Sequence, residues 1–138
     1  QLAVDVQQVV GTGTAFAAVK LGGSIVTWGS ADTGGDSTAV SDQLASDVQL
    51  VAGTASAFAA VKGDGSVVTW GDAGTGGVSN AVRNQVAADV QQVVGTEYAF
   101  AAVKHNGSVV TWGDAVFGGD SSAVCDQLAA NVQQVAGT

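Results

Sequence analysis

One short motif, two aliphatic residues followed by Thr-Trp-Gly, recurs along this chain at a fixed interval. Its tryptophans, Trp28, Trp70 and Trp112, are 42 residues apart (70 − 28 and 112 − 70). Self-similarity over roughly 20 to 50 residues is typical of solenoids, propellers and arrays, in which each unit buries its apolar face against a neighbour. The sequence therefore predicts a tandem repeat of three units.

The same period sets the boundaries of the units. We predict one repeat domain, 1–138, with units at about 6–47, 48–89 and 90–131 and with 132–138 starting a fourth. Residues 127–138 repeat the opening 1–12, and the chain has no Met and begins with Gln. We therefore expect a segment of a longer array or a processed form.

Composition narrows the classes of partner. Hydrophobic residues make up 46% of the chain and charged residues 12%, and the mean hydropathy is +0.31. Gly, Ser, Asp and Gln interrupt every apolar run before the roughly 18 residues that a membrane span requires. The net charge is −8, whereas a face that binds nucleic acid is basic. We therefore expect no membrane insertion and no nucleic acid as a partner.

A β-hairpin is predicted in every unit. In the middle unit, the apolar runs 57–62 and 66–70 flank Gly63-Asp64-Gly65. Asp-Gly between β-branched runs is a strong hairpin signal, because both central residues of the tight turn require positive φ. Gly22-Gly23 and Asn106-Gly107 take this place in the other units. We expect hairpins at 15–28, 57–70 and 99–112, with a further strand before each, such as 48–52.

The hairpin strands are apolar on both faces. Phe58 and Ala60 share one face of their strand, while Ala57, Ala59 and Val61 share the other. Strands of this kind lie between packed sheets, as in the blades of a propeller or the coils of a solenoid. We therefore expect both faces to be covered.

A glycine-rich connector follows each hairpin and leads to an element with two open interpretations. Val124 and Leu128 are four residues apart, and 120–122 can supply an N-cap, which favours a helix of about two turns. The spacing recurs at Val40 and Leu44 and at Val82 and Val86. A distorted outer strand is the alternative. The predicted fold class is mainly β, with a short helix or outer strand per repeat, as β-propeller-like blades in a partial ring. A β-solenoid-like stack is the alternative.

Residues 60–72, Ala-Val-Lys-Gly-Asp-Gly-Ser-Val-Val-Thr-Trp-Gly-Asp, resemble the repeats of the regulator of chromosome condensation family, which build a seven-bladed propeller. The resemblance covers mainly the hairpin half of each unit. Three alanines (Ala15, Ala57 and Ala99) stand where the family usually has His, Gly-Gly replaces Gly-Gln-Leu-Gly, and Pro is absent. The resemblance implies propeller blades. It does not imply nucleotide exchange or chromatin binding, because the loops that carry those activities are missing.

The segments Val-Val-Thr-Trp-Gly-Asp-Ala and Gly-Gly-Asp-Ser-Ser-Ala-Val are also similar to acidic repetitive arrays of this type in large microbial and algal proteins. That resemblance implies an interaction or structural role.

No cluster of side chains predicts a catalytic, cofactor or metal site. His105 lies in a hairpin turn where the other units have different residues, which is typical of an exposed side chain. Cys125 has no second thiol and no His at a metal-binding spacing. Asp114 and Asp120 bracket a glycine-rich loop, but a hard cation needs six to eight oxygens and this loop offers few anions. We expect these carboxylates to form turns and helix caps.

The three tryptophans have two interpretations. They can stack on sugar rings, as aromatic residues do in propeller lectins, or fill the space between units. Each lies at a strand end in an apolar hairpin, where a large ring contributes most as core. Packing is therefore the favoured interpretation.

Differences between units concentrate in the connectors, where a repeat scaffold presents loops to solvent or to partners. The third unit has its bulkiest changes there, and we take as candidate interaction residues Glu97, Tyr98, Val116 and Phe117. The predicted function is a non-enzymatic repeat scaffold for structural assembly or protein–protein interaction. Its expected partners are further repeats of the same protein, a second copy, or another protein. A glycan-binding propeller module is the alternative.

Overall fold

The computed structural model describes residues 6–77, 79, 84–119, 121, 128 and 132–137. In that part of the chain, nine strands form three antiparallel sheets, each a simple meander. Sheet 1 contains β1 (Val6–Gly11), β2 (Ala15–Lys20) and β3 (Ile25–Gly29). Sheet 2 contains β4 (Val48–Gly53), β5 (Ala57–Lys62) and β6 (Val67–Gly71). Sheet 3 contains β7 (Val90–Gly95), β8 (Ala99–Lys104) and β9 (Val109–Gly113).

The predicted hairpins are confirmed, but their turns differ from the prediction. The Lys62 amide donates to the Ser66 carbonyl at 2.9 Å, and the Gly65 amide donates to the Lys62 carbonyl at 2.9 Å. The loop therefore has three residues, and only its last, Gly65, has positive φ (82°). A three-residue loop needs one left-handed residue, whereas the two-residue turn that we predicted needs two. Asp64 instead accepts hydrogen bonds from the Ser66 amide and hydroxyl, at 2.9 and 2.6 Å.

The sheets pack face to face through two apolar layers. We call the side of a sheet that packs on the following sheet its forward face, and the opposite side its backward face. The first layer joins forward residues of sheet 1 to backward residues of sheet 2; it includes Ala15, Ala17, Val19, Phe58, Ala60, Val68 and Trp70. The second joins sheets 2 and 3 in the same way; it includes Ala57, Ala59, Val61, Phe100, Ala102, Val110 and Trp112. The expected cover on both faces is therefore confirmed for β5.

Alanine allows this two-sided packing. Ala57, Ala59 and Ala60 are fully buried in β5. Their single methyl groups let neighbouring backbones approach closely, and they lose no side-chain entropy on burial. The larger rings of Phe and Trp lie on the backward face only, so each layer combines large residues from one sheet with small residues from the other.

The element after the first hairpin is shorter than the predicted two-turn helix. It is a single 3-10 turn, Thr38–Val40, followed by hydrogen-bonded turns in which the Leu44 amide donates to the Val40 carbonyl at 3.1 Å. One such turn already brings Val40 and Leu44 onto the core of the first layer. The chain then reverses at Asp47, whose φ is 70°, and β4 begins at the next residue. The predicted outer strand is also absent here; the corresponding segment of the third unit, 120–131, falls almost wholly outside the described residues.

Candidate functional site

The junction between sheets is built around one glycine. Gly34 has φ 106° and ends the 3-10 turn Ala31–Thr33. A Cβ placed on Gly34 would lie 2.5 Å from Cδ2 of Phe58 in the next sheet. The Gly34 carbonyl accepts a hydrogen bond from Nε1 of Trp70 at 3.1 Å. Gly34 therefore forms a socket for a ring and an acceptor for an indole, and no other residue type fits this place.

The second junction repeats this arrangement. Nε1 of Trp112 donates to the Gly76 carbonyl at 3.2 Å, and a Cβ on Gly76, whose φ is 104°, would collide with the ring of Phe100. The Phe100 and Trp112 rings pack with centroids 5.4 Å apart. The favoured interpretation of the tryptophans as packing residues is confirmed for Trp70 and Trp112, which are both buried.

In sheets 1 and 2, a threonine holds the loops together at the edge beside the junction. Thr54 Oγ1 accepts a hydrogen bond from the Ala57 amide at 3.1 Å and donates to the Thr75 carbonyl at 2.9 Å. Thr12 makes the equivalent bonds to Ala15 and Thr33, at 3.1 and 3.0 Å. Each threonine therefore links the loop between the first two strands to the connector after the third.

The four candidate interaction residues lie at this loop edge in sheet 3. The Asp114 amide donates to the Tyr98 carbonyl at 2.9 Å, which brings the two loops side by side. Glu97 is exposed, although its carbonyl accepts from the Ala55 amide at 2.7 Å. Val116 is 85% exposed, and Phe117 ends the 3-10 turn Ala115–Phe117. The fold thus brings together residues from two separate loops, and their role in binding stays a prediction.

Sequence reasoning did not single out a cleft of about 800 Å³ between sheets 1 and 2. Three carboxylates, those of Asp32, Asp36 and Asp72, line it together with Trp70. Hydrogen bonds from the hydroxyl and amide of Thr38 lower the pKa of Asp36. Asp72 accepts from the Gly74 amide at 3.3 Å, so two of these carboxylates cap local turns. The Trp70 ring is buried against sheet 1 and only 4% exposed, so it offers the cleft little aromatic surface.

Groups that could support catalysis or bind a metal are sparse in the described residues. No three His, Cys, Asp or Glu residues there come close enough to hold a metal ion. His105 is exposed in its turn, and Asp114 accepts from the Val116 amide at 2.9 Å, as expected of a capping residue. Cys125 and Asp120 lie outside the described residues. No helix among the described residues has the length and apolar character needed to cross a bilayer.

Several solved structures share this arrangement of sheets. Human WBSCR16 superposes with a TM-score of 0.57 at 22% sequence identity, over 80% of this chain and 35% of that one. Prp20p from Saccharomyces cerevisiae gives a TM-score of 0.57 at 15% identity, over 78% of this chain and 30% of that one. The ectodomain of the Physcomitrella patens receptor kinase CR4 gives 0.59 at 13% identity, over 91% and 33%. The sheets are propeller blades.

Sheets 1, 2 and 3 are called blades 1, 2 and 3 from here on. They form a partial ring, and the chain spans about a third of the length of each of these structures. The expectation of propeller-like blades is therefore confirmed. The likeness to Prp20p, the yeast RCC1 protein, agrees with the repeat resemblance at the level of fold alone. No family profile matches the chain, and no curated protein matches it.

Proposed function

We propose that the chain is a non-enzymatic repeat scaffold that mediates assembly through its blade faces. One observation carries the proposal. Phe16, on the backward face of blade 1, is 47% exposed, whereas its counterparts Phe58 and Phe100 are 0% and 1% exposed. An exposed residue that is core in the neighbouring units is a typical element of an interaction surface.

We include in this proposal the division of the chain into repeat units and a binding role for the loops of the third unit. The chain 1–138 acts as one repeat domain, with units 6–47, 48–89 and 90–131 and the start of a fourth at 132–138. The loop edge with Glu97, Tyr98, Val116 and Phe117 offers a second surface for another protein, because loops carried by a rigid scaffold commonly bind partners. Solved structures with the same fold support protein partners in general, since Prp20p binds Gsp1p and histones.

Light scattering over a range of protein concentrations tests the scaffold function. A chain mass of 13.4 kDa sets the value for a monomer, and we expect the weight-average mass to rise above it as concentration increases. A glycan array with and without calcium is the matched test of the alternative, with no binding expected. A chain that stays monomeric at every concentration and also binds glycans would contradict the proposal and favour the glycan-binding module.

A further inference from the structure

Blade 1 displays the inserting half of a blade junction. Phe16 stacks on Trp28 with centroids 5.4 Å apart, as Phe58 does on Trp70 at 5.3 Å. Trp28 is half-buried, and its indole N–H meets no acceptor among the described residues, whereas the other two indoles each reach a glycine carbonyl. The backward face of blade 1 therefore has the residues of a junction without the glycine that receives them.

Blade 3 displays the receiving half. Gly118 is exposed and has φ 110°, close to the values of Gly34 and Gly76. A Cβ built on Gly118 would meet only Ala99 Cβ, at 3.9 Å, among the described residues. Ala101 is partly exposed on the same forward face, although its counterparts Ala17 and Ala59 are fully buried. The socket is present, and no ring among the described residues fills it.

We propose that the backward face of blade 1 docks on the forward face of blade 3 of a second copy of this chain. The Phe16 ring packs on Gly118 of that copy, and Nε1 of Trp28 donates to the Gly118 carbonyl. This inference rests on the proposed scaffold function and names its contact. The chemistry is that of the two junctions within the chain, so the new interface continues an interface that the molecule already has.

The contact is head-to-tail and therefore open-ended. The two surfaces lie on different blades, which makes the interface heterologous: each docked copy leaves one free face of each kind. We expect chains of copies, or a ring where the rotation closes, and not a symmetric dimer. A net charge of −8 per copy opposes association, so added salt strengthens it by screening.

Residues 132–137 occupy the place on blade 3 that β1 of a docked copy would take. The Val132 amide donates to the Gly107 carbonyl at 2.9 Å, as the Val48 amide does to Gly23 and the Val90 amide to Gly65. The segment thus lies on blade 3 where the first strand of a following blade would lie. Its sequence, Val-Gln-Gln-Val-Ala-Gly, differs from that of β1 at one position. In the docked pair, either this segment or β1 of the incoming copy occupies the place, and the other leaves.

Two variants, one on each face, test the contact by sedimentation or light scattering. Phe16→Ser removes the inserted ring, and Ala101→Asp places a charge on the receiving face. We expect each to weaken association by at least about tenfold, as loss of a central anchor does. Leu21→Ser is the matched control: Leu21 is 62% exposed, but its side chain belongs to neither apolar layer, so its loss leaves association unchanged. Circular dichroism verifies that each variant is folded.

A mixture of the two variants gives the sharpest result. Phe16→Ser retains a working forward face and Ala101→Asp retains a working backward face. At a concentration where each variant alone is monomeric, their 1:1 mixture therefore forms dimers and nothing larger. Deletion of 132–138 vacates the place on blade 3, and we expect it to strengthen association of the otherwise unchanged chain.

The outcomes separate this inference from the scaffold function. Oligomers of wild-type mass in both variants, or a mixture that stays monomeric, overturn the inference and leave the scaffold function standing. A wild-type chain that remains monomeric up to millimolar concentration, with or without salt, overturns both. Weaker association after deletion of 132–138 overturns the strand replacement.

Discussion

Nε1 of Trp70 donates a hydrogen bond to the carbonyl oxygen of Gly34, 3.1 Å away and 36 residues earlier in the chain. The bond crosses from one blade to the next. It satisfies the only polar atom of a buried indole side chain at a place where water is excluded, and an unsatisfied buried donor is costly. Trp70 and Gly34 therefore pack against each other's blades and also supply a hydrogen-bond partner for the buried indole N–H.

Trp70→Ala should lower the free energy of unfolding by about 3 to 5 kcal/mol, the range for large-to-small changes in a packed core. The control is Trp28→Ala, since Trp28 is half-buried and lacks the interblade bond. Urea denaturation of both variants provides the comparison. Equal losses would contradict the role assigned to the junction.

Gly23 and Gly22 are neighbours in one hairpin loop and should respond differently to alanine. Gly23 has φ 81°, and a Cβ there would lie 2.6 Å from the Asp47 amide nitrogen, whereas a Cβ on Gly22 meets nothing within 4 Å. Gly23→Ala should destabilise the fold by about 1 to 3 kcal/mol through backbone strain, with the clash in addition. Gly22→Ala should be neutral or stabilise by up to about 1 kcal/mol, because alanine restricts the unfolded chain. Thermal denaturation that ranked the two in the opposite order would exclude this account.

The hydroxyl of Thr54 should matter more than its methyl group. Thr54 is buried and bonds to the Ala57 amide and the Thr75 carbonyl. Thr54→Val keeps the shape but leaves both backbone groups without their partner, at a cost of about 1 to 3 kcal/mol. Thr54→Ser keeps the hydroxyl and should lose less. A valine variant as stable as the serine variant in denaturant would show that the loop edge does not depend on this bond.

The Asp64 turn should carry a pH dependence that the third hairpin lacks. Hydrogen bonds from the Ser66 hydroxyl and amide lower the pKa of Asp64. A carboxyl whose folded pKa lies below its unfolded value, about 3.9, contributes stability that is present above that value and is lost as the pH falls through the folded pKa. Asn106 makes the same bonds to Ser108 without titrating.

Carboxyl chemical shifts from an NMR titration measure the Asp64 pKa directly. Ser66→Ala removes the hydroxyl hydrogen bond, which lowers the Asp64 pKa more than the amide hydrogen bond does. The Asp64 pKa should therefore move back toward its ordinary value. The amide resonance of Ser108 should not follow an acid transition over the same range. A pKa for Asp64 at or above about 3.9 in the unmodified chain would contradict the assignment.

The sequence predicts the strands and their packing because the information is local. Apolar residues on both faces of 57–61 indicate cover on both sides, and glycine in each turn indicates a hairpin. The turn type was predicted wrongly, because Asp64-Gly65 was interpreted as a complete two-residue turn although Gly63 belongs to the same loop. The two-turn helix was also wrong for the first unit, since the spacing of Val40 and Leu44 is satisfied there by one turn.

The junction glycines could not be assigned from local pattern. In the sequence, Gly34 does not differ from other loop glycines. Glycine is required there because a Cβ would collide with the Phe58 ring of the next blade. The signal that could have found it is the joint periodicity of Gly-Gly, Phe and Trp, which indicates a shared contact without saying which blades form it. The candidate loop residues follow from variation between units, which identifies exposed connectors and carries no information on what binds them.

The burial of β5 on both faces, described above, has a consequence for how the molecule opens. Five successive residues, Ala57 to Val61, are buried by two neighbours. Their amides are freed when β5 separates from β4 and β6, and unfolding of this blade breaks both junctions, whereas unfolding of blade 1, which frees the amides of β2, breaks one. In nearly one-dimensional repeat structures, opening starts where neighbours are fewest. Amide protons of β5 should then exchange with solvent more slowly than those of β2. Of the three described blades, the middle one is the last to lose its protection.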